Sequence, residues 1–206
     1  MRYNGISNRT AQRTQAIWPY AWQDGIFTDD ELAKVNEYCR LLPLNVGIIG
    51  TGHYSPEQRR ALVNMIKPGP ETGWMFDRLN AWTAKMNDEY FGLTLNGYDY
   101  IQYSEYTKED AGHFGWHVDL FWGENPPSDM VEPRKLSMSL LLNEPGRDFD
   151  GGEFEFINSN PHKPERVELT RGRAIFFPSY LLHRVRPVFT GVRKSLVIWA
   201  TGPKFT

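Results

Sequence analysis

The stretch that decides the fold lies between Tyr98 and Ala200, and one of its strand-like runs reads Lys135-Leu-Ser-Met-Ser-Leu-Leu-Leu142. The runs are short, carry many aromatic and β-branched residues, and are separated by turn sequences such as Asp150-Gly-Gly152. Several short strands at this spacing indicate a β-sandwich or a barrel. The predicted strands are Tyr98–Tyr106, Lys135–Leu142, Gly152–Ile157, Arg166–Leu169, Ala174–Phe177 and Lys194–Ala200.

The residues before this stretch carry helix signals. Thr28-Asp-Asp-Glu31 is a capping box, and apolar residues follow it at helical spacing up to Pro43. Ser55-Pro-Glu-Gln58 predicts a second helix start, with Leu62, Met65 and Ile66 as its apolar face. The apolar spacing from about Gly73 to Tyr90 predicts a third helix. Helices first and strands after predict an α+β fold, mainly β, in which helices buttress one face of an antiparallel double sheet.

Composition excludes several classes of protein. The chain has 206 residues, with 23 Lys and Arg against 25 Asp and Glu. It therefore lacks the excess of basic residues that is typical of proteins that bind nucleic acid or anionic membranes. No apolar run approaches the roughly 18 residues that a membrane span needs. Cys39 is the single cysteine, which excludes an intrachain disulfide and a thiolate cluster. The first ten residues lack an apolar segment, so we expect a cytoplasmic protein.

The candidate chemistry begins at His117-Val-Asp119. On an extended strand these two side chains point to the same side, and His183 follows 66 positions after His117. Two histidines and one carboxylate form the facial triad of non-haem Fe(II) oxygenases, which leaves metal positions open. The tripeptide alone is equally compatible with a surface histidine beside a turn aspartate.

Arg193 strengthens the metal interpretation. It lies ten residues after His183, and Pro187 and Gly191 turn the chain between them, so we expect Arg193 to open a strand next to the one leading to His183. A guanidinium there is able to hold a carboxylate through a two-pronged, charge-assisted pair. A metal with a fixed arginine nearby is what a 2-oxo dicarboxylic acid requires.

The combined motifs resemble the 2-oxoglutarate- and Fe(II)-dependent dioxygenases of the prolyl 4-hydroxylase type, including the bacterial PKHD-type hydroxylases. The resemblance implies a double-stranded β-helix (jelly-roll) core. It also implies one dioxygenase domain over residues 1–206, with a helical support region to about 95 and a catalytic core from about 96. The matching segments are 101–106, 112–119, 134–143, 148–154, 172–178 and 183–199.

The resemblance also implies site residues and cofactors. His117, Asp119 and His183 would bind Fe(II), and Arg193 would bind the distal carboxylate of 2-oxoglutarate. Oxygen would be the second co-substrate, succinate and CO2 would be products, and ascorbate is a candidate reductant. A tyrosine that bonds the co-substrate usually lies somewhat closer to the first histidine than either candidate does here. Tyr106 is favoured, and Tyr103 is the alternative.

Substrate contacts are expected from three tryptophans. Trp199 ends the strand that begins near Arg193, Trp116 precedes the first predicted ligand, and Trp122 opens a long segment to Pro133. A loop of that length is more often functional than not, so we expect a lid over the metal. Both Trp116 and Trp199 are also plausible as core residues.

The expected reaction is hydroxylation of a C–H bond, on a peptidyl or free amino-acid side chain of the prolyl type. The alternatives are the same chemistry on a small metabolite or nucleobase, or a cupin-like jelly roll that binds a metal or ligand without catalysis. A small-molecule, peptide or protein substrate is expected as partner, with neither nucleic acid nor membrane. His113, His53 and His162 are expected at the surface or the rim of the site.

Overall fold

The computed structural model describes residues 18–49, 54–120, 132–158, 160 and 162–204, which form two α-helices, a π-helical turn and thirteen strands. The helices are α1 (Asp29–Arg40) and α2 (Gly73–Met86), and the π-helical turn is Asn87–Phe91. The strands are β1 (Ala21–Gln23), β2 (Asn45–Val46), β3 (Arg59–Arg60), β4 (Leu62–Ile66), β5 (Ile101–Thr107), β6 (His113–His117), β7 (Arg134–Leu141), β8 (Phe149–Gly151), β9 (Phe154–Phe156), β10 (Glu165–Val167), β11 (Ala174–Pro178), β12 (His183–Val185) and β13 (Val188–Thr201).

The strands form two antiparallel sheets. The larger sheet has the order β1-β11-β7-β13-β5-β4-β2, with β8 pairing to β13, and the smaller has the order β10-β9-β12-β6-β3. One apolar cluster lies between the sheets and includes Leu141 and Phe177 from the larger and Phe156 and Val185 from the smaller. This arrangement confirms the predicted mainly-β α+β fold with a jelly-roll-like double sheet.

The two helices cover the other face of the larger sheet. Leu32 and Val35 of α1 and Leu79 of α2 share a second apolar cluster with Leu196 and Ile198 of β13. Because side chains alternate along a strand, the residues between them on β13 face the smaller sheet instead. The larger sheet therefore has one face for the helices and one for the site.

The capping box at the start of α1 is confirmed. The Glu31 amide donates to Thr28 Oγ1 at 3.2 Å, and the Thr28 amide donates to Glu31 Oε2 at 2.9 Å. Cys39 is buried on the apolar face of this helix. The third predicted helix is also confirmed, although its last turn is π-helical and ends at Gly92, whose φ is +63°.

The second predicted helix is wrong. Ser55–Gln58 forms only a turn, in which the amides of Gln58 and Arg59 donate to the Ser55 carbonyl. The residues assigned to its apolar face belong to β4, which pairs with β5 in register from Leu62↔Glu105 to Ile66↔Ile101. Pairing with a long central strand outweighs the local helix signal. The described residues up to position 95 therefore supply four strands as well as helices.

Strand β13 contains a glycine, Gly191, at a position two residues before Arg193 where a side chain does not fit. Gly191 has a φ of +65°, and a Cβ added there would lie 2.0 Å from the Asp148 carbonyl oxygen, so a side chain would collide with backbone. Gly25 has a similar φ of +70°, but nothing lies within 4 Å of the position that a Cβ would take there, which makes it a matched control.

We expect Gly191→Ala to destabilise the protein more than Gly25→Ala does. The unfavourable φ costs each variant about 1–2 kcal/mol, and the overlap adds about 1–3 kcal/mol at Gly191. Each kcal/mol corresponds to roughly 2–4 °C in the thermal midpoint of a chain of this size. Equal midpoints for the two variants, measured by thermal unfolding, would contradict this expectation.

Candidate active site

Strands β6 and β12 of the smaller sheet bring His117 and His183 together, and Asp119 follows two residues after β6. His117 ends β6, His183 begins β12, and the two residues are paired across the smaller sheet. Asp119 Oδ1 lies 3.7 Å from His117 Nε2, and Asp119 Oδ2 lies 3.6 Å from His183 Nε2. All three ligand atoms lie within 4.8 Å of one another. The predicted convergence is therefore confirmed, with a donor set suited to a ferrous ion.

Hydrogen bonds orient the three side chains. Nδ1 of His117 lies 2.8 Å from the Gly115 carbonyl, and Nδ1 of His183 lies 2.8 Å from the Leu181 carbonyl. Each carbonyl requires a proton on Nδ1, which leaves the lone pair on Nε2 for a metal. Ser137 Oγ donates to Asp119 Oδ2 at 2.7 Å and fixes the carboxylate.

The protonation states also suit a metal. Burial, followed by the neighbouring His183, lowers the pKa of His117 to about 3, so its imidazole is neutral at neutral pH. Burial alone would raise the pKa of Asp119, but His183, His117 and Arg134 outweigh it and lower that pKa. The site therefore presents a neutral His117 imidazole and an ionised Asp119 carboxylate, the forms in which these groups bind metals.

Arg193 is buried on the site face of the larger sheet, with 1% of its surface exposed. One nitrogen, NH1, donates to Ser195 Oγ at 3.2 Å, while Nε and NH2 have no partner among the described residues. Burial lowers the pKa of this guanidinium. A buried cation with two free N–H groups is costly unless an anion meets it, which fits the distal carboxylate of 2-oxoglutarate.

The predicted place of Arg193 in the sheets is wrong. It does not open its strand but lies within β13, which begins at Val188. Nor is β13 adjacent to β11, the strand that leads to His183, because β7 lies between them. Arg193 lies on the larger sheet and the two histidines lie on the smaller, and both sides border the apolar cluster between the sheets, to which Tyr106 and Phe177 belong.

The two candidate tyrosines lie on opposite faces of β5. Tyr106 is paired directly with Arg193, and its ring centre lies 5.5 Å from the guanidinium carbon. Tyr103 packs in the cluster with the helices, and its hydroxyl donates to Glu105 Oε1 at 2.5 Å. Burial, with this bond to Glu105, raises the pKa of Tyr103. The geometry favours Tyr106 as the tyrosine near the co-substrate.

Two of the three tryptophans lie among the described residues, one beside the site and one facing away from it. Trp199 is paired with Ser137, the residue that bonds Asp119, and its Nε1 is buried without a partner among the described residues. The ring centre of Trp116 lies 4.4 Å from the guanidinium carbon of Arg184. Arg184 lies between His183 and Val185, whose side chains face inward, so its own side chain faces outward. Trp116 therefore faces away from the triad. Residues 122–131 of the expected lid, Trp122 among them, lie outside the described residues.

Two further arginines near the triad were missed by the sequence analysis. Arg59 is buried, and its Nε and NH2 have no partner among the described residues, while its guanidinium lies 4.7 Å from the ring centre of Phe114. Phe114 stacks on His117 with ring centres 3.5 Å apart. Arg134 lies 4.0 Å from the ring centre of Trp199. No sequence signal marks Arg59, since it follows a motif that indicates a helix.

His113 and His162 are not part of the metal-binding group found among the described residues. His113 is half-buried, and its ring nitrogens lie 2.9 Å from the Ala111 carbonyl and 3.1 Å from the Glu57 carbonyl. His162 is exposed, and His53 lies outside the described residues. In the described residues, no helix is long and apolar enough to cross a membrane.

Comparison with known proteins agrees with this geometry. Residues 101–201 match the model of the 2OG-Fe(II) oxygenase superfamily. A PKHD-type hydroxylase of Psychrobacter is 36% identical over 86 residues, which are 42% of this chain and 32% of the relative. The chain thus spans about a third of that relative's length.

Two solved structures share the fold. A Pseudomonas putida prolyl 4-hydroxylase superimposes with a TM-score of 0.71 at 20% identity, over 90% of this chain and 94% of the other. A Trichoplax adhaerens prolyl hydroxylase in complex with a hypoxia inducible factor peptide fragment has a TM-score of 0.69 at 15% identity, over 89% of this chain and 83% of the other. At these identities the likeness shows the fold alone.

The fold and the triad together define a jelly-roll protein with the metal site of a non-haem iron oxygenase. Residues 101–201 belong to the 2OG-Fe(II) oxygenase superfamily, and the curated relatives of the chain include PKHD-type hydroxylases. His117, Asp119 and His183 are accordingly its Fe(II) ligands, and 2-oxoglutarate is the co-substrate of the family.

Proposed function

We propose that this protein is an Fe(II)- and 2-oxoglutarate-dependent dioxygenase that hydroxylates a peptidyl side chain of the prolyl type. The observation that carries the proposal is a metal-binding triad on one sheet together with a buried Arg193 on the other, whose Nε and NH2 meet no partner among the residues that the structure describes. In the overall reaction a substrate C–H becomes C–OH, and 2-oxoglutarate becomes succinate and CO2. One oxygen atom of O2 enters the substrate and the other enters succinate.

The residues of this chain divide the work of binding. The bound iron would supply the oxidising chemistry, and the triad leaves positions open for the co-substrates. Arg193 would hold the distal carboxylate of 2-oxoglutarate through Nε and NH2, with the ring of Tyr106 beside it. Phe154 and Phe177, with ring centres 5.4 and 4.7 Å from that of His183, would keep water from one side of the metal.

A peptide substrate is supported by the cations around the triad. Arg59 presents two buried N–H groups that meet no partner among the described residues, and Arg134 lies over Trp199 close to Asp119. Backbone carbonyl oxygens of an extended peptide are suitable acceptors for such groups. Two structural neighbours are prolyl hydroxylases, and one of them holds a peptide.

Succinate formation tests the proposal. The protein with Fe(II), 2-oxoglutarate and O2 should form succinate faster when proline-containing peptides are added than when free proline is added. Mass spectrometry should show one added oxygen atom on the peptide. Equal stimulation by the free amino acid would contradict a peptide substrate. No succinate under any condition would favour the cupin-like alternative.

We expect Arg134→Ala to raise the KM for a peptide substrate by about tenfold, because a lost hydrogen bond to a charged group costs about 1.5–3 kcal/mol. The KM for 2-oxoglutarate should stay unchanged. Arg171→Ala is a matched control, since Arg171 NH1 bonds Asp29 Oδ1 at 2.6 Å in a pair whose aspartate is largely exposed. A peptide KM equal to that of the control variant would remove Arg134 from the proposed substrate site.

A further inference from the structure

A β-bulge places the first metal ligand. Phe114 and His117 are three positions apart on β6, so a regular strand would point them to opposite faces. Instead, their rings stack with an interplanar angle of 12°. Between the pairs His183↔His117 and Val185↔Phe114, β6 has two residues where β12 has one. The additional residue changes the alternation and turns His117 toward Asp119.

Gln58 is bonded to both residues of this bulge. The Gly115 amide donates to the Gln58 carbonyl at 2.7 Å, and the Gln58 side-chain amide, through Nε2, donates to the Trp116 carbonyl at 2.9 Å. A bulge leaves backbone groups without their regular ladder partners, and here Gln58 supplies partners for two of them. The contact is close, because a Cβ on Gly115 would lie 2.9 Å from Gln58 Oε1.

The bulge in turn holds the imidazole. The Gly115 carbonyl is the group that faces Nδ1 of His117 at 2.8 Å, so the position of Gly115 sets both the rotation of the ring and its tautomer. Gln58 thus contacts the bulge, and the bulge contacts Nδ1 of His117, the ring nitrogen that does not face the metal.

We infer that Gln58 is a positioning residue of the iron centre, which acts on His117 through the bulge at Gly115 and Trp116. It touches neither metal nor substrate. The inference rests on the metal site and not on the identity of the substrate. It also explains why the turn at Ser55–Gln58 and the two-residue strand β3 are attached to the edge of the smaller sheet.

Titration of the metal-free protein with Co2+ tests this role. Gln58→Glu keeps the shape of the side chain but puts a carboxylate oxygen where the donor was, and Gln58→Ala removes it. Both variants should bind Co2+ about 10- to 100-fold more weakly than the unchanged protein. The visible absorption of bound Co2+, which depends on ligand geometry, should shift. The thermal midpoint of the metal-free variants should stay close to that of the unchanged protein.

Two further variants complete the test. Gly115→Ala adds a methyl group that would displace the Gln58 side chain. It should weaken Co2+ binding as much as the Gln58 variants do, and it tests the inference even if Gln58→Ala folds poorly. Gln23→Ala is the control, since Gln23 Nε2 donates only to the neighbouring Asp24 carbonyl. Unchanged affinity and spectrum in the Gln58 variants, or equal losses in the control, would overturn the inference. Failure of the unchanged protein to bind Co2+ would instead count against the iron site itself.

Discussion

Arg193→Ala is expected to raise the KM for 2-oxoglutarate by about 150- to 4000-fold and to leave Fe(II) affinity unchanged. Removing one partner of a buried charge pair costs about 3–5 kcal/mol, and each 1.4 kcal/mol corresponds to about tenfold in affinity. The guanidinium is buried, and its Nε and NH2 meet no partner in the part of the chain that the structure describes, so the distal carboxylate would lose its proposed cationic partner. Succinate formation at varied 2-oxoglutarate measures the KM, and metal titration measures the affinity.

Two other substitutions sharpen this test. Arg193→Lys keeps the charge but loses the planar guanidinium. Its KM for 2-oxoglutarate should therefore lie between that of the unchanged protein and that of Arg193→Ala. Arg193→Met removes a buried cation from an apolar surrounding and should raise the thermal midpoint of the protein without co-substrate, while abolishing tight 2-oxoglutarate binding. An unchanged KM in Arg193→Ala would refute the assignment of this residue.

Asp119→Ala should weaken metal binding by more than about 100-fold, since even residues that only orient metal ligands are worth about 10- to 100-fold. The carboxylate is the anionic member of the triad, and both of its oxygens lie within 4 Å of an imidazole Nε2. Without it only the two imidazoles remain as ligands, and activity should fall to background. Metal content after dialysis, measured by atomic absorption, gives the direct readout.

Ser137→Ala should have a smaller effect on metal affinity than Asp119→Ala. It removes the hydrogen bond to Asp119 Oδ2 but leaves the carboxylate, so metal affinity should fall by only about tenfold. Retention of metal by Asp119→Ala at the level of the unchanged protein would show that the three side chains do not form the iron site.

Much of the site was predictable because its chemistry depends on residue type and short-range spacing. The triad of His117, Asp119 and His183 was predicted from two histidines and a carboxylate in a motif context, and the structure brings them together. The choice between Tyr103 and Tyr106 was not predictable in this way. Their odd spacing places them on opposite faces of β5, and only the pairing of Tyr106 with Arg193 shows which face is the site.

Other features depend on partners that are distant in the chain. The helix signal at Ser55–Gln58 is real as a local preference, yet the following residues pair with β5 because that pairing completes a sheet. The bulge in β6 likewise exists only against β12, and the orphaned N–H groups of Arg59 are visible only once its surroundings are packed.

By itself, the sequence determined the fold class, the capped first helix, most of the strands in the second half and the residue types of the metal site. These follow from interactions among near neighbours in the chain and from the hydrophobic pattern. Tertiary structure alone decided strand register, the face each side chain occupies and the burial of Arg193. Those properties arise from pairing between strands far apart in the chain, whose summed energy outweighs local preference.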